Sequence, residues 1–195
     1  SDWKSKCIHL VFEGSMTDTE VKVNGKPAGP IHQGAYYEFR HDVTRLLNYG
    51  RENLLEVTVS KHSENESVNN AERNGDYWIF GGIFRPVYLE AKPRENIGRI
   101  ALDAGACGKI NVNVFLDGIN RANRVEAQVK TLQGDPVGKS FSVQVEKGTG
   151  HVRLASEMKG IRTWNPESPH LYVLELRLAE NDKIIHHVSE RFGFR

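Results

Sequence analysis

Apolar and polar residues alternate with a period of two along most of this chain, the signature of strands that bury one face and wet the other. Ile8, Leu10 and Phe12 are separated by His9 and Val11, and Val21 and Val23 run into Asn24-Gly25, the favoured dipeptide for a tight hairpin turn. Tyr37 and Phe39 fit a short strand, and Leu55, Val57 and Val59 another. His41 to Leu47 fits one helical turn capped by Asp42. Residues 61–75 carry no apolar period and are rich in Asn, Glu and Ser. They predict a long loop, and loops of that length are usually functional or disordered.

An aromatic and glycine cluster, Asp76 to Arg85, leads into a strand over Val87 to Ala91. Lys92-Pro93-Arg94 reads as a boundary, because proline ends strand pairing and the next apolar pattern starts afresh. Beyond it, Ile110 to Leu116, Val125 to Val129, Phe141 to Val145, Val152 with Leu154, Tyr172 to Leu178, and Ile184 to Val188 supply strands. Asp117-Gly118, Gly134-Asp135-Pro136 and Asn181-Asp182 mark turns between them. Six or seven short strands over about 100 residues predict an immunoglobulin-like sandwich. No Cys-Trp-Cys framework is present, which argues against an antibody-type domain. The expected division is therefore residues 1–92 and 95–195, each long enough to bury its own core.

Lys+Arg total 26 and Asp+Glu 25. No summed field exists to attract nucleic acid, an anionic membrane or an acidic substrate. No apolar run approaches the roughly 18 residues of a membrane helix, and no basic-then-apolar leader precedes the first strand. A start at Ser1 without methionine and a stop after a dense aromatic and basic cluster fit a processed or excised segment. Cys7 and Cys107 fall in different expected domains, so a disulfide between them is not expected. Periplasmic, extracellular and cytoplasmic placements are all compatible with the sequence.

Two clusters are more specific than any strand pattern. Gly81-Gly82-Ile83-Phe84-Arg85-Pro86-Val87-Tyr88-Leu89 resembles the signature that ends the sugar-binding domain of glycoside hydrolase family 2. Trp164-Asn165-Pro166-Glu167-Ser168-Pro169-His170-Leu171-Tyr172, with Arg191-Phe192-Gly193-Phe194-Arg195, is similar to the motif pair closing that family's immunoglobulin-like domain. Val23-Asn24-Gly25-Lys26, the Gly34, Tyr36, Phe39 run and Asn53-Leu54 resemble the first domain as well. The resemblance implies an all-β chain: a galactose-binding-domain-like jelly-roll sandwich followed by an immunoglobulin-like β-sandwich. It also implies a partner in the same protein, a (β/α)8 barrel bearing two catalytic glutamates, of which this chain holds no part. Retaining hydrolysis needs two carboxyl groups about 5 Å apart. Glu56, Glu126, Glu146 and Glu175 instead sit at polar positions of the strand pattern and read as solvated-face residues.

By the same resemblance Asp76 matches an aspartate that, in the galactosidase branch, reaches into the barrel's sugar pocket beside a substrate hydroxyl and a cation. Asp76 is thus a candidate for substrate and metal binding, with a monovalent or divalent cation in the longer protein and no required cofactor. Residues 69–74 depart from the galactosidase pattern, which leaves the sugar class open. Tyr77 and Trp78 offer rings for a sugar face, although such residues more often pack in a core or at a domain interface. Arg85 is expected to fix two elements by pairing with a carboxylate or carbonyl across that interface. Trp164 with Pro166 and Pro169 predicts a rigid corner, and Phe192 and Phe194 are expected to be partly exposed. His186 and His187 adjoin on a strand, point to opposite faces and do not form a metal pair. Gly148-Thr149-Gly150 lacks a following helix pattern and does not make a phosphate cradle. The expected role is the non-catalytic front portion of an exo-glycosidase. Rival readings are a stand-alone lectin-like module and a structural adhesion-type tandem.

Overall fold

The computed structural model describes residues 2–76 and 78–195. The chain divides into two compact units, Ser1–Lys92 and Pro93–Arg195, and is almost entirely β.

The first unit contains β1 (Lys6–Phe12), β2 (Ser15–Met16), β3 (Asp18–Val23), β4 (Lys26–Pro27), β5 (Phe39–Asp42), β6 (Leu55–Ser60), helix α1 (Glu66–Arg73), β7 (Gly82–Ile83) and β8 (Val87–Pro93). Its sheets run β5-β1-β8 and β4-β3-β6, with a short β2-β7 ribbon. Ile8, Leu10 and Phe12 from one sheet meet Val21 and Val23 from the other, and Val43 joins them, giving the jelly-roll sandwich its core. The β3-β4 turn is the Asn24-Gly25 pair, with φ of 52° and 75°, the left-handed pair that a two-residue hairpin demands. The Asn24 side chain is locked from both ends. Its Nδ2 donates to the Leu46 carbonyl at 2.8 Å and Asn53 Oδ1 at 2.9 Å, while its Oδ1 accepts the Leu54 N–H at 3.0 Å.

Three local readings change. Residues 61–75 are not all loop, because α1 occupies Glu66–Arg73. This helix lacks an apolar stripe, so no periodicity announced it; caps and anchoring side chains hold it. His41 to Leu47 forms no helix: His41 and Asp42 belong to β5, and a single turn closed by Leu46 N–H on the Val43 carbonyl follows. Asp42 Oδ1 still accepts the Thr44 N–H, at 2.9 Å. Tyr37 lies outside β5 and is 68% exposed.

The second unit contains β9 (Asn96–Ala104), β10 (Lys109–Asp117), β11 (Arg124–Thr131), β12 (Pro136–Gln144), β13 (His151–Glu157), the short pair β14 (Trp164–Asn165) and β15 (Ser168–Pro169), β16 (Tyr172–Glu180) and β17 (Lys183–Phe192). One sheet runs β13-β10-β9 and the other β12-β11-β16-β17. This is an immunoglobulin-like sandwich whose fourth strand stays hairpin-paired to the third. Ile110, Val112, Val114 and Leu116 interlock with Val125, Ala127, Val129, Leu174, Leu176 and Leu178 to form its core. Sequence reading missed β9, where Gly98 and a bulge opposite Phe115/Leu116 break the alternation. Cys7 is half-buried, Cys107 is exposed, and no disulfide joins them.

Phe192 and Phe194 are buried, contrary to the expected partial exposure. Both pack on Tyr172, and their rings meet edge to face at 5.2 Å. Gly193 makes this possible: a Cβ there would lie 2.6 Å from Trp164 Cβ. Trp164 donates its N–H to the Phe194 carbonyl at 2.8 Å. The two closing motifs of the sequence are therefore halves of one corner.

Glu95 seals the other end of this unit. Its Oε2 accepts the N–H groups of Asn120, Arg121 and Ala122 at 3.0, 2.8 and 2.8 Å. Burial pushes its carboxyl up, but these three donors, reinforced by the Arg121 guanidinium, hold it below its ordinary value of 4.5. A depressed acid stabilises the fold above its unfolded value, and that stabilisation disappears as pH falls below 4.5 and through the folded value. Glu95→Ala should cost about 3 kcal/mol at neutral pH, because buried donors lose a charged acceptor. Urea titrations across pH should show the gap to the parent closing on acidification.

Candidate functional site

The cluster singled out in the sequence hangs from the end of α1 in the first unit, and buried carboxylates position that helix. Asp18, on β3, accepts the Glu64 N–H at 2.9 Å and the Gln33 side-chain amide at 3.1 Å through Oδ2. Burial pushes its carboxyl up, yet hydrogen bonds from Ser63, Glu64 and Gln33, with His32 nearby, bring it below its ordinary value. Asn65 caps the helix by accepting the Ser67 N–H at 3.0 Å. Asn69 ties helix to approach: its Oδ1 accepts from Ser63 N–H and Arg73 Nε, and its amide donates to the Ser63 carbonyl. At the far end Glu72, only 9% exposed, receives the fully buried Ala35 N–H on both oxygens, at 2.9 and 3.0 Å.

Gly34, with φ of 117°, lets the chain turn so that the Ala35 N–H faces Glu72. The rings of His32 and Phe39 stack at 3.9 Å, and His41 meets Phe39 edge on. A Cβ at Gly29 would collide with the His41 imidazole.

A shelf of rings follows the helix. Phe80 stacks on Phe84 at 5.9 Å, Tyr36 meets Phe84 edge to face at 6.1 Å, and the Arg85 guanidinium lies 5.4 Å from the Phe84 centroid. Arg85 donates to the carbonyls of Glu13 and Tyr36 at 3.4 and 3.3 Å. Carbonyls are thus its acceptors, and both belong to the first unit. These two hydrogen bonds form a lock beneath the shelf. Gly14 admits it, since a Cβ there would lie 2.9 Å from Arg85 Cδ and 3.2 Å from Phe84 Cζ.

Asp76 sits exposed just past α1, and no hydrogen bond or ion pair joins it to another described residue. Trp78 is 83% exposed and Phe80 54%. So open a ring is not part of the first unit's core. Tyr77 lies outside the described residues. Sequence reasoning missed Glu72, Asp18 and Phe80. Gly34 was the available signal, because glycine marks places where the backbone can turn as other residues cannot.

Other candidates do not assemble into chemistry. Glu175 is held between Lys130 at 2.7 Å and Arg177 at 3.1 Å, which keep its carboxyl below its usual range. His186 Nδ1 accepts the Ile97 N–H at 3.1 Å. Among the described residues no group of three His, Cys, Asp or Glu is placed to hold a metal ion. A cleft of about 380 Å³ in the second unit, between Leu102, Trp164, Leu171 and Phe192, carries only Asp103 as an acid.

Residues 1–93 match the family model "Glycosyl hydrolases family 2, sugar binding domain", and residues 100–195 match "Glycosyl hydrolases family 2". The chain belongs to glycosyl hydrolase family 2. Among curated family relatives, a putative β-glucuronidase of Formosa agariphila is 30% identical over 98% of this chain and 23% of its own length. A β-galactosidase of Thermoanaerobacter pseudethanolicus is 26% identical over 99% of the chain and 26% of its own. The crystal structure of a putative β-galactosidase from Bacteroides fragilis superposes with a TM-score of 0.84 at 28% identity, over 100% of this chain and 31% of that one. This family 2 chain thus spans about a quarter of the length of the curated relatives it matches.

Glu72→Ala would leave the Ala35 N–H buried without an acceptor, a cost of about 2 kcal/mol, whereas Glu72→Gln keeps an acceptor and should cost less. Hydrogen exchange over residues 66–73 should accelerate in the first variant more than in the second. Burial lowers the His41 imidazole, with His32 adding to it; burial also lowers His32, against the pull of the Gly34 carbonyl, Glu72 and Asp18. Unfolded, each ring takes a proton near 6.5, so the unfolded chain binds more protons and the first unit weakens as pH falls below that value. His41→Leu, with one fewer ring to charge, should flatten the acid limb of a urea-midpoint profile.

Proposed function

We propose that this chain is the non-catalytic front portion of an exo-acting family 2 glycosidase. In this reading it scaffolds a catalytic barrel and lends the Asp76–Trp78 loop to the rim of that barrel's sugar pocket. The observation that carries the reading is the pair of family matches spanning both units of a chain about a quarter as long as its relatives. Support for the loop comes from its construction. Buried carboxylates and a cation-backed ring shelf hold its base, while Asp76 and Trp78 at its end are exposed. A rigid base with an unengaged tip suits contact with a second body.

The chemistry of the parts fits the role. A pyranose ring presents apolar C–H faces, which a wide-open indole can cover. A carboxylate accepts hydrogen bonds from sugar hydroxyls and is a hard oxygen ligand. As a cation site Asp76 fits only as a contributor: one carboxylate supplies at most two of the roughly six oxygens such ions take. A cation there would need further oxygen ligands beside Asp76. Bond breaking belongs to the barrel's two carboxyl groups, one acting as acid and base and the other as nucleophile. Binding at the rim improves orientation more than it alters the chemical step.

Asp76→Ala in the full-length protein should raise KM for aryl glycosides about tenfold and change kcat less. Thermal stability should hold, since Asp76 bonds to no described neighbour. Unchanged KM across several glycosides would count against the pocket role. Calorimetric titration of the isolated chain with mono- and disaccharides separates the lectin-like alternative, which requires micromolar binding without any barrel.

A further inference from the structure

The sequence contains two Asn-Gly dipeptides, Asn24-Gly25 and Asn74-Gly75, and the structure treats them oppositely. Asn-Gly is the dipeptide most open to intramolecular attack, because glycine has no Cβ to hinder its own backbone nitrogen. Attack requires the asparagine side chain and the following peptide to rotate into contact. At Asn24 both are held. The side chain makes three hydrogen bonds, the Asn24 backbone N–H donates to the Leu54 carbonyl at 2.8 Å, and the dipeptide closes the β3-β4 hairpin.

Asn74 has none of this. It is the residue after the last turn of α1, with φ −99° and ψ 60°, so the helical ladder ends before it. Both Asn74 and Gly75 are exposed, and no hydrogen bond joins the Asn74 side chain to another described residue. The helix's own asparagines differ again: Asn69 is bonded to Ser63 and Arg73, and Asn69 and Asn70 precede residues that carry a Cβ.

We infer that Asn74 is a site of spontaneous backbone-assisted deamidation, a modification that rewrites the loop immediately before Asp76. The Gly75 nitrogen loses its proton and bonds to Asn74 Cγ. The Cγ–Nδ2 bond breaks, and ammonia leaves with that proton. Water then opens the cyclic imide. Cleavage at Cγ gives aspartate; cleavage at the main-chain carbonyl gives isoaspartate, with the backbone routed through the former side chain. Either product places a second carboxylate two residues before Asp76, and the second also lengthens the chain there by a methylene. The conversion does not depend on any sugar contact by Asp76.

Freeing Asn24 requires its hydrogen bonds to break first, so in the folded chain Asn74 should convert at least about tenfold faster than Asn24. The experiment is incubation of the full 195-residue chain at mildly alkaline pH. Peptide mapping by mass spectrometry then follows the amide-to-acid mass increment, and isoaspartate is counted by enzymatic carboxyl methylation. In guanidinium the two Asn-Gly sites should converge, because the protection at Asn24 is structural. Gly75→Ala should slow conversion at Asn74 alone. Folded-state conversion at Asn74 no faster than at Asn24, or no faster than at Asn69 and Asn70, would overturn the inference. Indifference to Gly75→Ala would do the same.

Discussion

Backbone N–H groups that the strand ladders cannot reach are received by buried carboxylates, and the irregular parts of both units depend on those bonds. Glu95 takes three consecutive amides of the 120–122 loop. Glu72 takes the Ala35 amide, and Asp18 takes that of Glu64. A sandwich buries its apolar faces cheaply, but each connection brings polar groups toward a dry interior, where an unpaired donor is costly. An ionised acceptor resolves that cost more strongly than a neutral one.

This explains how the first unit carries an ordered helix with no apolar stripe. Residues 66–73 contribute almost nothing to the core cluster of Ile8, Leu10, Phe12, Val21, Val23 and Val43. Their place is set by Asn65 and Asn69 at one end and Glu72 at the other. The functional reading follows from the same arrangement. A polar helix anchored at its base can project Asp76 and Trp78 outward without dragging apolar surface with it, and the Phe80, Phe84, Arg85 shelf stiffens the return path.

The closing corner of the second unit works differently. There Trp164, Gly193 and Phe194 meet by shape, with glycine chosen because any side chain would strike the indole stem. Two motifs nearly thirty residues apart in the chain are thereby one packing unit. Their joint presence in the sequence is a more specific indicator of the fold than either alone.

Alternation by itself marked both units as β and placed most of their strands, because a period of two is a local property that burial reads directly. The Asn24-Gly25 turn was equally legible, since few dipeptides tolerate positive φ twice. Helix α1, strand β9, the burial of Phe192 and Phe194, and the partners of Arg85 were not. Each depends on a contact with a residue far along the chain: Glu72 with Ala35, Gly98 and the bulge with β10, Gly193 with Trp164, Arg85 with Glu13. The candidate site divides the same way. Sequence pointed to Asp76 and Trp78 through their motif, whereas the tertiary structure decided that their side chains stand clear of the unit that carries them, because the anchoring groups beneath them come from elements brought together only by folding.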